Sequence, residues 1–356
     1  TKKLKFVHTA DVHLGVRPDA GKAYTDRRPR EIWESFERLL TFCEENKVDL
    51  LLIVGDLFHR QPLLKELKEV SSLFDRLTHT KVVLTAGNHD YVKADSHYRK
   101  FRWGDNVYPL FSDRLEKAEF PELKTAVSGF SYQQKEIRNG LLASWKCKRS
   151  QENEILLLHG GDEKHLPFRK REVRQLGYDY TALGHIHKAD RNCEENSLYS
   201  GALEPTDPND TGQHGFVLGT AENGVVYTRF VPFAGREYIH TEILVDQTMN
   251  GKILEEEIRK TIEEDGRENM YRITLTGFRD PDIEFAVDLM DPYGNIIDII
   301  DMTNPSYDFE KLERKNRDNL LGKYIRSFQN AGQEDELLEE MALYEGVRAI
   351  LETRKG

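Results

Sequence analysis

Five short segments of the chain carry side chains that can bind divalent metal ions, and each follows a run of apolar residues. In chain order they are Asp11-Val12-His13, Gly55-Asp56-Leu57-Phe58-His59, Gly87-Asn88-His89-Asp90, His159-Gly160-Gly161 and Gly184-His185-Ile186-His187. In α/β proteins the loops beyond the carboxyl ends of strands form the ligand crevice, so the segments are expected to converge there. Each motif alone is weak, and Gly-Asn-His-Asp would also suit a turn. Their joint occurrence at strand ends predicts a metal centre.

The chemistry of the candidate ligands narrows the choice of metal. The set combines carboxylates, an amide oxygen and imidazoles without a thiolate, which suits Mn²⁺, Fe²⁺ or Zn²⁺ better than soft metals or Ca²⁺. The seven candidates are Asp11, His13, Asp56, Asn88, His159, His185 and His187. So many ligands exceed the needs of one tetrahedral ion and suit two ions that share a carboxylate.

The elements that must position these ligands follow from the apolar pattern. Strands are predicted at Leu4–Thr9, Leu50–Val54 and Lys81–Thr85, then at residues 126–130, 154–159 and 180–183. Helices are predicted at residues 30–45 and 63–77, between the first three strands. Shorter strands near residues 197–200, 215–220 and 224–232 have the spacing of an antiparallel meander. The pattern predicts an α/β fold with two packed β-sheets flanked by helices.

Composition shifts divide the chain into three predicted regions. Residues 1–235 form the α/β body, residues 236–305 a smaller α+β capping domain, and residues 306–356 a charged, helical C-terminal region. In the capping domain we expect strands at 237–245, 271–276, 283–289 and 295–302 and a helix at 251–264. A final helix is expected at 334–352, with an apolar stripe that comprises Leu337, Leu338, Met341, Tyr344, Val347 and Leu351.

Charge is distributed unevenly between these regions. The whole chain has 51 Lys and Arg against 62 Asp and Glu, but residues 236–356 alone carry 28 acidic and 16 basic residues. The first 235 residues are therefore nearly neutral and tolerate a polyanion better than the acidic remainder. Basic clusters in this part predict DNA contacts, although solvated surface is the competing interpretation. The candidates for DNA contact are Arg27, Arg28, Arg30, Lys164 and Arg169.

The cysteines and the hydropathy indicate the expected cellular location. Cys43, Cys147 and Cys193 are far apart and form neither a CxxC metal pair nor a disulfide framework, which is typical of reduced thiols. Apolar runs fall short of the ~20 residues that a membrane span needs, and no signal peptide is recognised. We therefore expect a cytoplasmic protein with no membrane contact.

The ordered motifs D-x-H, GD, GNHD, H and GHxH resemble the signature of the calcineurin-like metallophosphoesterases. The sequence from Phe6 to Gly15, the Gly55-Asp56-Leu57-Phe58-His59 loop and Tyr199-Ser200-Gly201 resemble, more narrowly, the DNA double-strand-break repair nucleases of the SbcD and Mre type. The resemblance covers residues 4 to 235, and the following domain only by position and size. Val12 stands where SbcD-type proteins often carry Trp, and Ser200-Gly201-Ala202-Leu203 where a Pro-Gly-Ser run is common, so the exact subfamily stays open.

The resemblance implies a role for each motif residue. Asp11, His13 and His187 would bind one ion. Asn88, His159 and His185 would bind the other, with Asp56 as the bridging ligand and manganese as the usual metal. His89 would protonate the leaving 3′-oxygen, Asp90 would orient His89, and His59 would approach the scissile phosphate.

The resemblance also implies a function and partners. It implies a manganese-dependent DNA exonuclease and endonuclease in double-strand-break repair, working as a homodimer with an SbcC-like ATPase of the SMC/ABC type. The final helix would either grip that ATPase or pack on its own domain. A basic segment comprising Lys311, Arg314, Lys315 and Arg317 would face a partner or DNA, or else be a solvated linker.

Other functions compete with this interpretation. The same chemistry would serve a phosphodiesterase for a small nucleotide or another diester. Phosphoprotein phosphatases are disfavoured, because Leu57-Phe58-His59-Arg60 stands where they carry Asp-Arg-Gly. A scaffold with a vestigial metal site is disfavoured by the full ligand set.

Overall fold

The computed structural model describes residues 3–193, 195–329 and 336–354. Its strands are β1 (Leu4–Thr9), β2 (Leu50–Val54), β3 (Lys81–Thr85), β4 (Val107–Pro109), β5 (Glu116–Phe120), β6 (Thr125–Gly129), β7 (Asn153–His159), β8 (Tyr180–Gly184), β9 (Ser197–Tyr199), β10 (Gly215–Glu222), β11 (Val225–Pro232), β12 (Tyr238–Val245), β13 (Met270–Arg279), β14 (Ile296–Asp301) and β15 (Asn304–Pro305). Its α-helices are α1 (Arg28–Glu45), α2 (Leu64–Phe74), α3 (Lys170–Arg174), α4 (Gly251–Asp265), α5 (Phe309–Lys315), α6 (Leu320–Gln329) and α7 (Glu336–Glu352).

The first sheet has the strand order β11-β10-β1-β2-β3-β4. Its central strands β1, β2 and β3 are parallel, with Phe6 opposite Leu50 and Leu50 opposite Lys81. Such strands are buried on both faces, which explains their nearly continuous apolar sequences. The crossover helix α1 buries an apolar face that comprises Ile32, Phe36, Leu39, Leu40 and Cys43.

The second sheet has the strand order β5-β6-β7-β8-β9, and β6 to β9 are parallel. The predicted antiparallel meander is wrong for β9, because Thr181 of β8 lies parallel to and opposite Ser197 of β9. Leu198 is buried in the core of this sheet, which holds the short strand there. The next strands, β10 and β11, do form an antiparallel hairpin, but it extends the first sheet beside β1.

The two sheets pack face to face and are flanked by helices, as predicted. Their common core joins Leu52 and Val54 of β2 to Leu157 of β7 and Ala182 of β8. A buried polar link accompanies this apolar contact. His8 on β1 makes hydrogen bonds with the Tyr180 hydroxyl (2.8 Å) and the Leu183 carbonyl (3.0 Å), both on β8.

A third sheet contains β12, β13 and β14 in that order, with β15 parallel to β13. The strand predicted at residues 283–289 is wrong. Backbone N–H groups of this segment donate within turns, from Ile283 to Asp280 O and from Leu289 to Ala286 O. Leu289 is 85% exposed, so its apolar side chain has no core to enter.

The C-terminal region is helical, as predicted. Val347 of α7 packs with Leu321 and Ile325 of α6, while Leu337, Leu338 and Met341 near the start of α7 are exposed. The predicted apolar stripe is therefore buried in one half of the helix only. Residues 334 and 335 of the predicted helix lie outside the described residues. In the described part of the chain, no helix combines the length and apolarity needed to cross a membrane.

The chain divides into two compact units. The first comprises Thr1–His240, Asp265–Arg272 and Tyr293–Ile297, and the second comprises Thr241–Glu264, Ile273–Pro292 and Asp298–Gly356. The three functional regions 1–235, 236–305 and 306–356 stay a prediction.

Candidate metal centre

The five motif segments meet at the carboxyl ends of β1, β2, β3, β7 and β8. Backbone hydrogen bonds join the loops in pairs: Asp11 N donates to Gly55 O (3.2 Å), His13 N to Asp56 O (3.0 Å), and Gly160 N to Gly184 O (3.1 Å). All seven candidate ligands thus lie in one crevice that draws on both sheets.

One group of candidate ligands contains Asp11, His13 and His187. Their ligand atoms lie within 4.8 Å of one another, and such a group could hold a metal ion. The Nε2 atoms of His13 and His187 are 3.1 Å apart, and they lie 3.9 Å and 4.0 Å from Asp11 Oδ1.

The other group surrounds the Asn88 amide. Asn88 Oδ1 lies 3.0 Å from His159 Nε2 and 3.1 Å from His185 Nδ1. Asp56 Oδ2 is 3.4 Å from His159 Nε2 in this group and 3.9 Å from His13 Nε2 in the first. The Asp56 carboxylate therefore lies between the two groups and within reach of both.

Backbone strain marks the same positions. Four candidate ligands have positive φ: Asp11 (51°), His13 (52°), Asp56 (52°) and His185 (93°). Residues other than glycine adopt this region rarely and at a cost, and such strained residues cluster at active sites. The surrounding sheets must hold these four residues in place.

Close packing explains two glycines of the motifs. A Cβ atom on Gly87 would lie 2.3 Å from Asp56 Oδ1 and 2.6 Å from His159 Nε2. On Gly184 it would lie 2.1 Å from Val54 O. Any side chain at these positions would displace a candidate ligand or the backbone that supports it.

The donor set fits cations. Asp11 is fully buried, and among the described residues its Oδ1 atom has no hydrogen-bond partner. A buried carboxylate oxygen without a partner is costly, unless a cation compensates it. Burial raises the pKa of Asp11, whereas for the equally buried Asp56 the charge of His159 overcomes burial and lowers the pKa. A metal ion would supply the positive charge that Asp11 lacks.

Two carboxylates that sequence reasoning missed orient the histidines of the β8 loop. Asp210 Oδ2 accepts a hydrogen bond from His187 Nδ1 (2.9 Å), and Asp162 Oδ2 accepts one from His185 Nε2 (2.6 Å). Because the other ring nitrogen of each histidine donates to a carboxylate, His187 Nε2 and His185 Nδ1 keep lone pairs that could bind a metal ion. His159 is oriented likewise, because its Nδ1 atom lies 2.9 Å from the Val54 carbonyl. Asp162 follows the His159-Gly160-Gly161 motif, which was a usable signal, but Asp210 carries no local signal.

His165 also contacts the residues that orient the candidate ligands, although it lies in none of the five motifs. Its Nδ1 atom lies 2.9 Å from Asp162, and its ring packs on that of His185 at 4.5 Å. His8 and His79 instead have structural partners, in Tyr180 and Asp49.

The predicted catalytic residues lie beside the first group. The rings of His59 and His89 stack at 5.0 Å, and both contact the ring of His13. His89 Nδ1 lies 2.9 Å from the His59 carbonyl, which fixes the ring.

The prediction that Asp90 orients His89 is wrong. The hydrogen bonds that the structure describes for the buried Asp90 carboxylate come from the N–H groups of Asp56 (3.2 Å), Phe58 (3.2 Å) and Gly87 (2.8 Å) and from the Tyr98 hydroxyl (2.9 Å). Asp90 thus fixes the Asp56 loop, and burial raises its pKa to about 6. The role of orienting His89 belongs to the His59 backbone.

Among the candidates for DNA contact, Arg28 is a correction. Its side chain is fully buried and forms ion pairs with Glu204 (3.2 Å) and Glu31 (3.0 Å), so DNA has no access to it. The run of basic residues suggests exposed side chains, but it does not reveal that Arg28 lies on the buried face of α1. The remaining candidates, which are all exposed, are Arg27, Arg30, Lys164 and Arg169. The Arg30 side chain pairs with Glu34 at 2.8 Å.

Comparison with known proteins adds independent findings. Residues 4–189 match the calcineurin-like phosphoesterase family. The chain is 29% identical over 247 residues to the uncharacterized metallophosphoesterase YhaO of Bacillus subtilis, covering 64% of this chain and 60% of that protein.

Archaeal repair proteins are similar as well. The DNA double-strand break repair protein Mre11 of Methanocaldococcus jannaschii is 29% identical over 219 residues, which cover 56% of this chain and 57% of that protein. Its namesake from Methanopyrus kandleri is 27% identical over 293 residues, covering 73% of this chain and 62% of that protein. The chain thus spans about three fifths of the length of these relatives.

Proposed function

The chain belongs to the calcineurin-like phosphoesterase family, and we propose that it is a manganese-dependent DNA phosphodiesterase. In this proposal it acts as an exonuclease and endonuclease in double-strand-break repair. The observation that carries the proposal is the position of Asp56 Oδ2, 3.4 Å from His159 Nε2 and 3.9 Å from His13 Nε2, between two groups of candidate ligands. Similarity to proteins named for double-strand-break repair supports DNA as the substrate.

Seven residues would hold two Mn²⁺ ions. Asp11, His13 and His187 would bind one ion, Asn88, His159 and His185 the other, and Asp56 both. Two such ions supply an acidified water as nucleophile and neutralise charge on the phosphoryl oxygens.

The remaining chemistry belongs to protein side chains. With the Nδ1–H of His89 donating to the His59 carbonyl, the doubly protonated ring would give its Nε2 proton to the leaving 3′-oxygen and keep the Nδ1 proton. His59 stacks on His89 and keeps its own imidazole beside the phosphate. Asp90 acts as a positioning residue through the backbone of Asp56 and Gly87. Burial around Asp11, Asp56 and Asn88 excludes water, which strengthens the electrostatic interactions of the site.

Exposed basic side chains support binding of a long polyanion. Arg27, Lys164 and Arg169 are exposed, and contacts from such residues to phosphates give affinity without sequence readout. These contacts would favour DNA over a small diester, which offers fewer phosphates.

The proposal includes partners. Leu337, Leu338 and Met341 of α7 are 58–68% exposed and would contact an SbcC-like ATPase of the SMC/ABC type. We further propose a homodimer in the cytoplasm, with residues 236–305 acting as a cap and 306–356 binding the partner.

One assay separates this proposal from its competitors. The purified chain is incubated with Mn²⁺ and duplex DNA, a cyclic dinucleotide or a phosphopeptide, and Asp56→Asn serves as the inactive control. We expect degradation of DNA by the wild type only. Faster hydrolysis of the cyclic dinucleotide would make the chain a small-molecule phosphodiesterase, and inactivity on all three substrates would contradict an enzymatic role.

A further inference from the structure

A cavity of about 580 Å³ lies wholly within the second compact unit. Sites for small molecules commonly have volumes of roughly 300–1,000 Å³. The walls come from the turn at residues 279–282, the segment 303–308, α5 and the end of α7. These residues are separate from the candidate metal ligands, so the proposed nuclease chemistry does not account for the cavity.

Positive side chains dominate one part of its lining. They are Arg279, Lys311, Lys315, Arg348 and Arg354. Lys311 and Lys315 lie four residues apart on α5 and hence on one face of the helix. Their Nζ atoms make no hydrogen bond or ion pair with any residue in the described part of the chain.

The guanidinium groups add charge that is only partly neutralised. Arg279 donates to the carbonyls of Ile283 (2.9 Å) and Thr303 (3.3 Å), and Arg354 to the Asn316 amide oxygen (3.0 Å). These acceptors are neutral, so they fix the arginines without cancelling their charge. Arg348, in contrast, pairs with Glu352 at 3.1 Å.

Four carboxylates also line the cavity, those of Asp280, Asp282, Asp308 and Glu352. Asp308 accepts from the N–H of Lys311 (2.9 Å) and Asp280 from the N–H of Asp282 (2.8 Å), which fixes both side chains and leaves them charged. Five basic against four acidic side chains give the lining a small net positive charge, within a region that carries 28 acidic and 16 basic residues. Such charge selects an anion.

The lining also has an apolar part. Tyr307 lies in the wall, and its ring is held by Tyr344 at 5.2 Å and Phe309 at 6.2 Å. Pro281 and Pro305 also line the cavity. A lining that combines cations with apolar and aromatic side chains suits a ligand that joins phosphates to a planar ring.

We propose that this cavity binds a nucleotide, with its phosphates at Lys311, Lys315 and Arg279 and its base against Tyr307. The site is independent of the proposed nuclease activity, because it shares no residue with the metal centre. Its test therefore stands whether or not the chain cleaves DNA.

The test measures binding of adenosine 5′-diphosphate to the full chain by isothermal titration calorimetry, in EDTA so that no metal bridges the phosphates elsewhere. We expect one site per chain. The double variant Lys311→Ser/Lys315→Ser should weaken binding by about tenfold or more, since two charge-assisted contacts are lost.

A matched control removes the same charge outside the cavity. Arg314→Ser/Arg317→Ser alters the same segment at exposed residues that do not line the cavity, and it should change affinity less than about twofold. Adenosine and pyrophosphate should each bind more weakly than the diphosphate. Absence of binding by the wild type, equal losses in the two double variants, or binding of a single-stranded oligonucleotide without binding of the diphosphate would each contradict the proposal.

Discussion

The first sheet supplies its candidate ligands from loops that are almost closed to solvent, whereas the second supplies, besides the buried His159, two histidines of the β8 loop that stay partly open. The side chains of Asp11, His13 and Asp56 are at most 2% exposed, against 13% for His185 and 27% for His187. Packing holds Asp11, His13 and Asp56 in a strained backbone conformation, which His185 shares. His185 and His187 depend in addition on two acceptors outside their motif, Asp162 and Asp210.

This difference shows two ways of fixing a ligand. Where a side chain is buried, packing and neighbouring backbone groups fix it, as the Val54 carbonyl does for His159, and the short motif contains most of what is needed. Where it is partly exposed, a hydrogen bond to its far nitrogen must fix it, and the acceptor can come from anywhere in the chain. Substitutions at the buried ligands should therefore be poorly tolerated, whereas substitutions around His185 and His187 should change metal affinity by smaller steps.

The largest effect is expected at Asp56, which would bind both ions. Asp56→Asn removes a charge that would be shared by two cations, and one unit charge at 4 Å is worth about 4 kcal/mol near a protein surface, or roughly a thousandfold in affinity. Both ions should weaken together in a manganese titration followed by metal analysis. Retention of one ion at wild-type affinity would show that Asp56 does not bridge.

His89→Ala should abolish cleavage and spare the ions. Loss of a general acid costs typically about 10²–10⁴-fold in rate. The backbone N–H of His89, which donates to Asp56 Oδ1 (2.9 Å), remains in the variant. Metal content therefore stays at the wild-type value, and a lost ion would make His89 a ligand.

Substitution of Asp210 and Asp162 tests the hydrogen bonds that orient His187 and His185. Asp210→Ala and Asp162→Ala should each weaken one ion by about 10–100-fold, as outer-shell changes commonly do. Asp210 should matter more, because its side chain is 16% exposed against 46% for Asp162 and is less screened by solvent. The exposed neighbour Glu163→Ala is the control, with no effect expected on manganese affinity.

A double-mutant cycle assigns each carboxylate to its histidine. Asp210→Ala should add nothing to His187→Ala but act fully in His185→Ala. Equal additivity in both backgrounds would refute the assignment of Asp210 to the ion that His187 would bind.

The smallest effect concerns His8, which links the two sheets. Burial lowers its pKa to about 3, against an ordinary value of 6.5. The unfolded chain then binds the proton first, so this contribution to stability is present above pH 6.5 and falls as the pH drops toward 3. Between pH 7 and 5 the loss is about 2 kcal/mol.

Urea unfolding of the metal-free protein measures this loss. His8→Asn should lose less stability than the wild type between pH 7 and 5, by about 2 kcal/mol. His240→Asn, at an exposed histidine, should follow the wild type. Identical pH profiles for wild type and His8→Asn would exclude His8 as the cause.

Much of the fold was predictable because its signals are local. The bounds of β1, β2 and β3 follow directly from their apolar runs, and all seven candidate ligands lie in motifs at strand ends. The pairing of β9 was not predictable, since three residues carry no information on which sheet they join. Arg28 and Asp210 were misjudged or missed for one reason: their partners Glu204 and His187 lie 176 and 23 residues away in the chain.

Anomalous diffraction at the manganese edge from crystals soaked in Mn²⁺ tests the central claim, that two ions share Asp56. We expect two peaks about 4 Å apart, with Asp56 between them, His13 and His187 beside one, and Asn88, His159 and His185 beside the other. A single peak, or two peaks of which only one contacts Asp56, would contradict it.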